Sequence, residues 1–340
     1  MSLVTDTNKK LTVSPSPHFR SPDTSPRIML DVVIALIPTL IVSVIMFGPR
    51  ALLVVFTCVA SAVLAEYLSR KAMKKSVTIG DFSAVVTGIL LAFNLPVTIN
   101  LWMAAFGSVV AIVVVKQLFG GIGKNFVNPA LIGRIVLMSS FPVQMSNWTR
   151  PLEWLKSDVI TTASPMAGLK AITKAGDFSQ AAFKANNMPT LLQMFLGQRA
   201  GSLGEVCIVG LIIGGIYLVA RRVIKPIIPL CYIGTVAVIM LIAGKGNLTF
   251  VAYEILSGGL MLGAIFMATD YATTPINNKG KVIFGIGCGI LTAVIRLFGS
   301  LPEGVSFSII IMNILVPHIE NLTTPKPFGF EKEKKEETKK

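Results

Sequence analysis

Charged residues are scarce in this chain. They make up 14% of its 340 residues, whereas hydrophobic residues make up 53% and the mean hydropathy is +0.71. Soluble domains carry about 25% charged residues, so a chain this apolar cannot cover itself with a hydrated surface. The composition therefore excludes a soluble globular protein and predicts a protein that resides in the lipid bilayer.

Cysteine and histidine are also scarce. The four cysteines all fall within apolar runs and form no Cys-x-x-Cys pair, so we expect neither a metal site nor an iron–sulfur cluster built within this chain. The two histidines, His18 and His318, lie near opposite termini, which excludes haem ligation between facing helices. The cysteines are Cys58, Cys207, Cys231 and Cys288.

The formal net charge of +14 could suggest a nucleic-acid partner. The basic residues, however, lie at the ends of apolar runs and not on a charged surface interleaved with aromatic residues. This pattern excludes nucleic-acid binding and indicates signals of membrane topology.

Apolar runs of about 20 residues, or somewhat fewer where neighbours bury them, can cross a bilayer. The chain offers ten such runs, which predicts an all-α integral membrane protein with about ten transmembrane helices. The third run is interrupted by Asn94 and Pro96 and the eighth by Asp270 and Pro275, so some spans are expected to be short or broken. The predicted spans are 28–47, 51–68, 82–94, 101–118, 129–142, 202–220, 226–243, 253–269, 281–297 and 305–319.

Lys and Arg are distributed unevenly between the loops. With the N-terminus in the cytoplasm, the inside segments hold 22 of these residues and the short outside loops hold 3, namely Arg50, Lys245 and Arg296. The positive-inside rule therefore predicts a multi-pass protein of the cytoplasmic membrane, with both termini inside and segment 143–200 outside. The first 27 residues are polar and proline-rich, unlike a cleavable signal, so we expect the first span to be retained.

Two matching stretches indicate an internal repeat. Phe106-Gly107 precedes Lys116-Gln117-Leu118-Phe119-Gly120, and Phe284-Gly285 precedes Arg296-Leu297-Phe298-Gly299 at nearly the same distance. An odd number of spans in each half makes the two five-helix repeats inverted. The predicted layout is a cytoplasmic segment 1–27, a first repeat 28–142, an extracytoplasmic segment 143–200, a second repeat 201–320 and a charged tail 321–340.

The outside segment gathers hydroxyl side chains between Asp158 and Pro165, namely those of Thr161, Thr162 and Ser164. By spacing alone, this run can simply cap a short helix that begins at the proline. A binding or modification site is the alternative, and spacing does not decide between them.

The run Asp158-x-x-Thr161-Thr162-Ala163-Ser164-Pro165 resembles the Asp-x-x-Ser/Thr-x-Ala-Thr-Pro flavinylation motif of membrane redox subunits. Further motifs in the same order extend the resemblance over about residues 14–330. Together they resemble RnfD, the D subunit of Rnf ion-pumping electron transport complexes, and more distantly the B subunit of sodium-pumping NADH:quinone reductases. These motifs are Ser16-Pro17-His18, Leu118 to Asn125, Asn128-Pro129-Ala130, Gly133-Arg134, Ala268 to Pro275 and Pro302-Glu303-Gly304-Val305.

The resemblance implies that a flavin transferase moves FMN from FAD onto the last hydroxyl residue of the motif, making a phosphoester. That residue is Ser164, where the family usually has Thr, and Thr162 and Thr161 are the alternatives. Asp158 would be a recognition residue, and the small Ala163 would let the attachment site enter the transferase. This chain would then be a flavoprotein with no catalytic residue of its own.

The resemblance also implies partners. Other Rnf subunits, of the A, B, C, E and G types, would join this chain in ferredoxin:NAD oxidoreduction coupled to movement of Na+ or H+. The NAD and ferredoxin sites are expected in those partners because this chain has no dinucleotide fingerprint and no cluster ligands.

The broken spans predict a second site. Asp270 stands at the break of span eight beside Thr273 and Thr274, and Asn94 stands at the break of span three. An acid beside unwound backbone in a membrane indicates a pocket, here for an ion, riboflavin or a second flavin. Asn128 before Pro129 is typical of a helix start, with the alternative that its amide faces the same pocket.

Most other ionisable residues near the spans lie at predicted span ends, where we expect solvation at the membrane interface. Such residues include Glu66, Arg134, Glu205, Glu254 and Arg296.

A cofactor-free channel or secondary transporter with inverted repeats is the competing class. The broken spans would form its central site. The run from Asp158 to Pro165 separates the two classes, because a channel has no need of it.

Overall fold

The computed structural model describes residues 23–155, 161–162, 164–299 and 303–325. These residues form fifteen α-helices, two of them continued by π-helical turns, and one pair of two-residue strands. The helices of the first half are α1 (Ser25–Phe47), α2 (Pro49–Ala72), α3 (Ser83–Phe93), α4 (Leu101–Val110, then a π-helix over Ala111–Gln117) and α5 (Pro129–Ser140).

A polar segment with short helices connects the two halves. Its elements are α6 (Pro142–Met145), β1 (Trp148–Thr149), β2 (Thr161–Thr162), α7 (Pro165–Ala175), α8 (Gln180–Ala185) and α9 (Leu191–Leu196). The helices of the second half are α10 (Ile208–Ala220), α11 (Ile227–Ala243), α12 (Leu248–Leu256), α13 (Leu260–Leu262, then a π-helix over Gly263–Met267), α14 (Asn278–Phe298) and α15 (Val305–Thr323).

Four of these helices, α1, α2, α14 and α15, are long and apolar enough to cross a membrane. The pair formed by α12 and the stretch Leu260–Met267 meets the same test, but it is bent by 65°. Five shorter apolar helices of 10–17 residues stand where spans three to seven are predicted. The prediction of an all-α protein with helices that can span a membrane is thus confirmed, whereas the count of ten crossings and the inverted repeats stay predictions.

Two predicted spans have different boundaries in the structure. Span six begins at Ile208 and not at residue 202, because the preceding residues pair with the end of α3: the Leu203 N–H donates to Leu95 O at 3.1 Å, and the Gly204 N–H donates to Phe93 O at 2.8 Å. Span eight bends just before Leu260 and not at Asp270. At this bend, Gly258 adopts a positive φ of 65°. Glycine tolerates this backbone conformation without steric cost.

The helices pack in two similar sets. In the first half, α2 contacts α3 and α4, and α4 contacts α5; in the second half, α11 contacts α12 and α14, and α14 contacts α15. The halves meet where α1 crosses α10 and where α5 crosses α15. The first crossing depends on Gly214, since a Cβ there would collide with the Ala35 carbonyl.

Candidate functional sites

The predicted attachment residue lies where a strand turns into a helix. Thr162 of β2 pairs with Trp148 of β1, and Ser164 is the residue just before α7. Pro165 occupies the first turn of α7, as expected from the sequence, but the Ser164 hydroxyl makes no capping hydrogen bond to the helix. The simple capping interpretation therefore does not account for this hydroxyl.

Ser164 borders a cavity of about 730 Å³, which we call the Ser164 cavity. Its volume is within the range of about 300–1,000 Å³ that is typical of small-molecule sites. Two arginines line it, Arg150 and Arg199, and no lining side chain in the described part of the chain is a carboxylate. Four amide side chains complete its polar wall: Asn186, Asn187, Gln193 and Gln198.

Arg199 is the buried arginine that lines this cavity. Its side chain is 3% exposed, its Nη atoms donate to the backbone carbonyls of Leu256 and Glu205, and its Nε has no hydrogen-bond partner among the described residues. Burial lowers the pKa of its guanidinium to about 10, despite the Glu205 and Glu303 carboxylates, which raise it. Arg199 therefore remains charged at neutral pH.

Four other residues of the motif are less informative. Asp158 and Ala163 lie outside the described residues, so their predicted roles remain predictions. Thr161 pairs through its backbone with Thr149. Thr162 also borders the Ser164 cavity, but its Oγ1 atom is buried and has no hydrogen-bond partner in the described part of the chain.

The segment carrying Ser164 lies against the C-terminal end of α1. The Leu152 N–H donates to Met46 O at 2.6 Å, and Trp154 Nε1 donates to Ile45 O at 3.2 Å. The opposite end of α1, at Ile28, is about 26 Å away at the helical rise per residue. It borders a second cavity, of about 540 Å³.

This second cavity, which we call the Asp270 cavity, lies between the two halves. Its walls are largely apolar, with Met29, Val86, Leu90 and Phe266 among them. Its polar lining includes two of the predicted pocket residues, Asn128 and Asp270, together with Ser83, Thr87, Lys116 and Asn125.

The other predicted pocket residues lie near the Asp270 cavity but do not border it. Thr273 Oγ1 donates to Asp270 Oδ2 at 3.2 Å, and Thr274 Oγ1 donates to Asp270 O at 2.8 Å. Asn94 is buried, and its Oδ1 accepts a hydrogen bond from Arg134 Nη1 at 2.8 Å. The structure thus assembles the two breaks into one polar region, in which Asn94 faces Arg134 and not the cavity.

Asn128 connects the two halves. Its side-chain oxygen accepts from the N–H groups of Ala130 and Leu131 at 3.0 and 3.4 Å, which confirms the predicted N-cap of α5. Its side-chain nitrogen donates to Met267 O at 3.2 Å, at the end of the bent span. Asn128 also lines the Asp270 cavity, and its role in binding a ligand there stays a prediction.

The expectation that the span-end charges are solvated is wrong for most of them. Glu66 is fully buried and pairs with Lys116 at 2.9 Å, while Arg296 pairs with Glu254 at 3.0 Å. Arg134 is also buried and pairs with Glu205, at 3.6 Å, and with Glu303. Neighbouring elements cover these charged residues, and buried ions need partners.

Several polar residues that border the cavities were not predicted as site residues from the sequence, among them Arg199, Lys116 and Asn125. Arg199 lies in the polar segment, with no periodicity to mark it as buried. Lys116 had a signal, because a lysine within an apolar run is costly without a partner. Its partner, Glu66, is fifty residues away in sequence, which spacing could not indicate.

The apolar helices and the polar connecting segment define a multi-pass helical membrane protein. The NQR2, RnfD, RnfE family model matches residues 12–329, and the chain therefore belongs to that family.

Full-length relatives agree with this assignment. The chain is 44% identical to the D subunit of the Na+-translocating ferredoxin:NAD+ oxidoreductase complex of Acetobacterium woodii, over 96% of this chain and 98% of the relative. It is 41% identical to the D subunit of the proton-translocating ferredoxin:NAD+ oxidoreductase complex of Clostridium ljungdahlii, over 94% and 96%. It is 33% identical to the D subunit of the ion-translocating oxidoreductase complex of Escherichia coli K12, over 94% and 99%.

Proposed function

We propose that this chain is the D subunit of an Rnf-type complex that couples ferredoxin:NAD oxidoreduction to Na+ or H+ translocation, and that it carries FMN as a phosphoester on Ser164. The subunit role is supported by family membership and by relatives that bear this name over nearly their whole length. The two relatives named for different ions show that membership alone does not select Na+ or H+.

One observation carries the flavin proposal: the Ser164 hydroxyl borders a cavity whose described charged side chains are all positive. A phosphodiester is an anion, and the N-terminus of a helix together with arginine side chains favours such a group. Ser164 stands at the N-terminus of the 11-residue helix α7, and its hydroxyl is not engaged in capping. The residues present therefore fit the phosphoester end of FMN.

The attachment step uses the Ser164 oxygen as nucleophile. Ser164 Oγ bonds to the phosphorus of the FMN half of FAD, the pyrophosphate P–O bond breaks, and AMP leaves with the bridging oxygen. The hydroxyl proton is released to solvent. Ser164 suits this step better than Thr162, because Thr162 Oγ1 is buried and Ser164 is only half-buried.

When bound, the flavin supplies one- and two-electron redox chemistry, while the protein supplies placement and electrostatics. Attachment through the phosphate leaves the ring free and gives it a high local concentration near its redox partners. Ser164 and the cavity wall thus serve to position the cofactor.

We further propose that the Asp270 cavity holds the second ligand, either riboflavin or another flavin, or the coupling ion. Its apolar walls suit a neutral ring, and its rim offers Asn128, Asn125 and the Asp270 carboxylate for hydrogen bonds. Asn94, Thr273 and Thr274 would then help to hold the lining residues in place without contacting the ligand.

The helix packing supports a ten-span fold with two inverted repeats, 28–142 and 201–320. The same pairs of helices pack in each half. The matching stretches also end on opposite sides of the molecule. Lys116, in the first stretch, borders the Asp270 cavity. Arg296, in the second stretch, donates to Ser257 O at 3.2 Å, and the neighbouring Leu256 carbonyl is contacted by Arg199 of the Ser164 cavity. Lys and Arg counts favour the cytoplasmic membrane, both termini inside and segment 143–200 outside.

In this arrangement a flavin at Ser164 stands outside, whereas electrons from ferredoxin start inside. Other subunits of the A, B, C, E and G types must therefore carry electrons across, and a flavin transferase must act on the outer side. Residues 1–27 and 321–340 would face the cytoplasm.

Ser164 variants test the attachment. In cells with an active flavin transferase, Ser164→Ala should abolish flavin fluorescence of the protein band in a denaturing gel, because no hydroxyl remains at that position. Ser164→Thr, which restores the usual residue of the motif, should keep the fluorescence, and so should Thr162→Ala. Fluorescence that persists in Ser164→Ala and disappears in Thr162→Ala would move the attachment to Thr162.

A chain that carries no covalent flavin in any of these cells would instead favour the cofactor-free channel or transporter.

The predicted topology is tested by thiol labelling. A cysteine at Lys184, which is exposed, should react with a membrane-impermeant reagent in intact cells, whereas one at Lys75 should react only after lysis. The reverse pattern would invert the orientation.

A further inference from the structure

Three arginines are buried beside the Ser164 cavity and the adjoining ends of the helices: Arg134, Arg199 and Arg296. Arg134 and Arg296 each have a carboxylate within 4.0 Å, at Glu205 and Glu303 for the former and at Glu254 for the latter. Among the described residues, Arg199 has none, and only this one of the three borders the cavity. A buried charge without an ion partner is costly unless an anion completes it.

No described carboxylate forms an ion pair with Arg199. Its two Nη atoms are held by backbone carbonyls, which carry no full charge, and the Glu205 carboxylate, which stabilises Arg199 at longer range, is already paired with Arg134. The Arg199 Nε is buried and has no partner within the described ranges, a feature that it shares with Arg134 and Arg296. The N-terminus of α7, whose dipole favours an anion, also borders the cavity. Two independent features therefore favour a negatively charged group in this cavity.

We propose that Arg199 is a positioning residue that pairs with the phosphate of the flavin in the Ser164 cavity. The inference builds on the proposed attachment at Ser164, but it concerns the cavity itself and also applies to free FMN. Gln193 and Gln198 also line the cavity, and their side-chain NH2 groups can donate hydrogen bonds to the ribityl chain and the flavin ring. Arg150 is exposed at the cavity and therefore contributes less, since solvent screens its charge.

The test compares two free flavins on Ser164→Ala protein, in which covalent attachment at that site is removed. FMN and riboflavin differ only in the phosphate, so the ratio of their dissociation constants isolates its contribution. We expect FMN to bind about 10-fold to 100-fold more tightly than riboflavin, the range for hydrogen bonds to a charged group. Adding Arg199→Gln should reduce the ratio to below about fivefold, the share that the α7 N-terminus supplies, and Arg199→Lys should restore part of the preference.

Arg150→Gln is the matched control, and it should change the ratio by less than about threefold, as expected for an exposed charge. A ratio near one before Arg199 is changed, or a preference for FMN that is unchanged in Arg199→Gln, would overturn the proposal. All titrations in this comparison carry Val86→Trp, which fills the Asp270 cavity, so riboflavin bound there does not enter the ratio.

A second measurement avoids variants that fold poorly. Unmodified wild-type chain, made without the transferase, is titrated with FMN or riboflavin in the presence of inorganic phosphate. Phosphate should weaken FMN binding and leave riboflavin binding unchanged, and equal effects on both would contradict the proposal. If native protein lacks covalent FMN yet retains this Arg199-dependent preference, the attachment proposal fails while the cavity assignment stands.

Discussion

The two cavities differ in how their positive charges are neutralised. In the Asp270 cavity, Lys116 is paired with Glu66, and its ammonium also donates to Ser83 Oγ at 2.5 Å. In the Ser164 cavity, Arg199 has only backbone carbonyls as partners among the described residues. Lys116 is therefore neutralised by a carboxylate of the protein, whereas Arg199 has no such ion pair among the described residues and can pair with an anionic ligand.

This difference indicates which ligand each cavity prefers. A cavity whose cation is already paired, and whose walls are apolar, suits a neutral ring such as that of riboflavin. A cavity with an unpaired arginine suits a phosphate. Variants of the two cavities can test this difference. The largest expected loss of stability comes from breaking a buried ion pair, and the smallest comes from removing one helix cap.

The largest effect is expected from Lys116→Met. It leaves the Glu66 carboxylate buried without its cation, although Gln117 and Thr78 still donate to Glu66 Oε1. Breaking a buried pair in this way costs about 3–5 kcal/mol. We expect a large fall in melting temperature in detergent.

Arg199→Gln and Arg221→Gln provide the comparison for Lys116→Met. Arg199→Gln removes no ion pair between described side chains and should cost far less in the absence of flavin. Arg221 pairs with Asp31 at 3.3 Å on a more exposed surface, and its removal should cost about 0–1 kcal/mol. Equal destabilisation by Lys116→Met and Arg199→Gln would remove the contrast between the cavities.

Filling the Asp270 cavity is expected to affect only the second ligand. Val86→Trp places a large ring among its apolar walls and should weaken non-covalent flavin binding by at least about tenfold, or about 1.4 kcal/mol. Covalent flavin at Ser164 should stay at the wild-type level, as measured by flavin extraction followed by gel fluorescence. Val109→Trp, on an exposed part of α4, is the control and should alter neither signal.

The smallest effect is expected from Asn128→Ala. Loss of the N-cap of α5 costs about 0.5–2 kcal/mol. Asn247→Ala removes a similar cap, in which Asn247 accepts from the Phe250 N–H at 3.1 Å, and should cost about the same. Only Asn128→Ala should also weaken flavin binding in the Asp270 cavity, and equal binding in both variants would argue against a ligand role for Asn128.

Local features of the fold were predictable from the sequence, because they depend on neighbouring residues. Asn128 and Pro129 mark the start of α5 by capping and by the fixed backbone of proline. Asn94 and Pro96 follow the end of α3, as the interruption of that apolar run predicts. The run before Pro165 likewise predicts the start of α7.

Contacts between distant segments were not predictable in the same way. Arg199 and Ser164 border one cavity although the segment between them contains three short helices. Arg134 of α5 meets Glu303 because α5 packs against α15, and it meets Glu205 in the segment before α10. Such pairings depend on how helices pack, so span-end charges that look solvated in the sequence are buried.

Intact mass and peptide mapping of the protein from a host with an active flavin transferase test the central claim most directly. The tryptic peptide 157–170 contains Thr161, Thr162 and Ser164. We predict that it carries the mass of FMN less one water, with fragmentation placing the adduct on Ser164. An unmodified peptide, in a host whose other substrates of the transferase are flavinylated, would contradict covalent attachment at this motif.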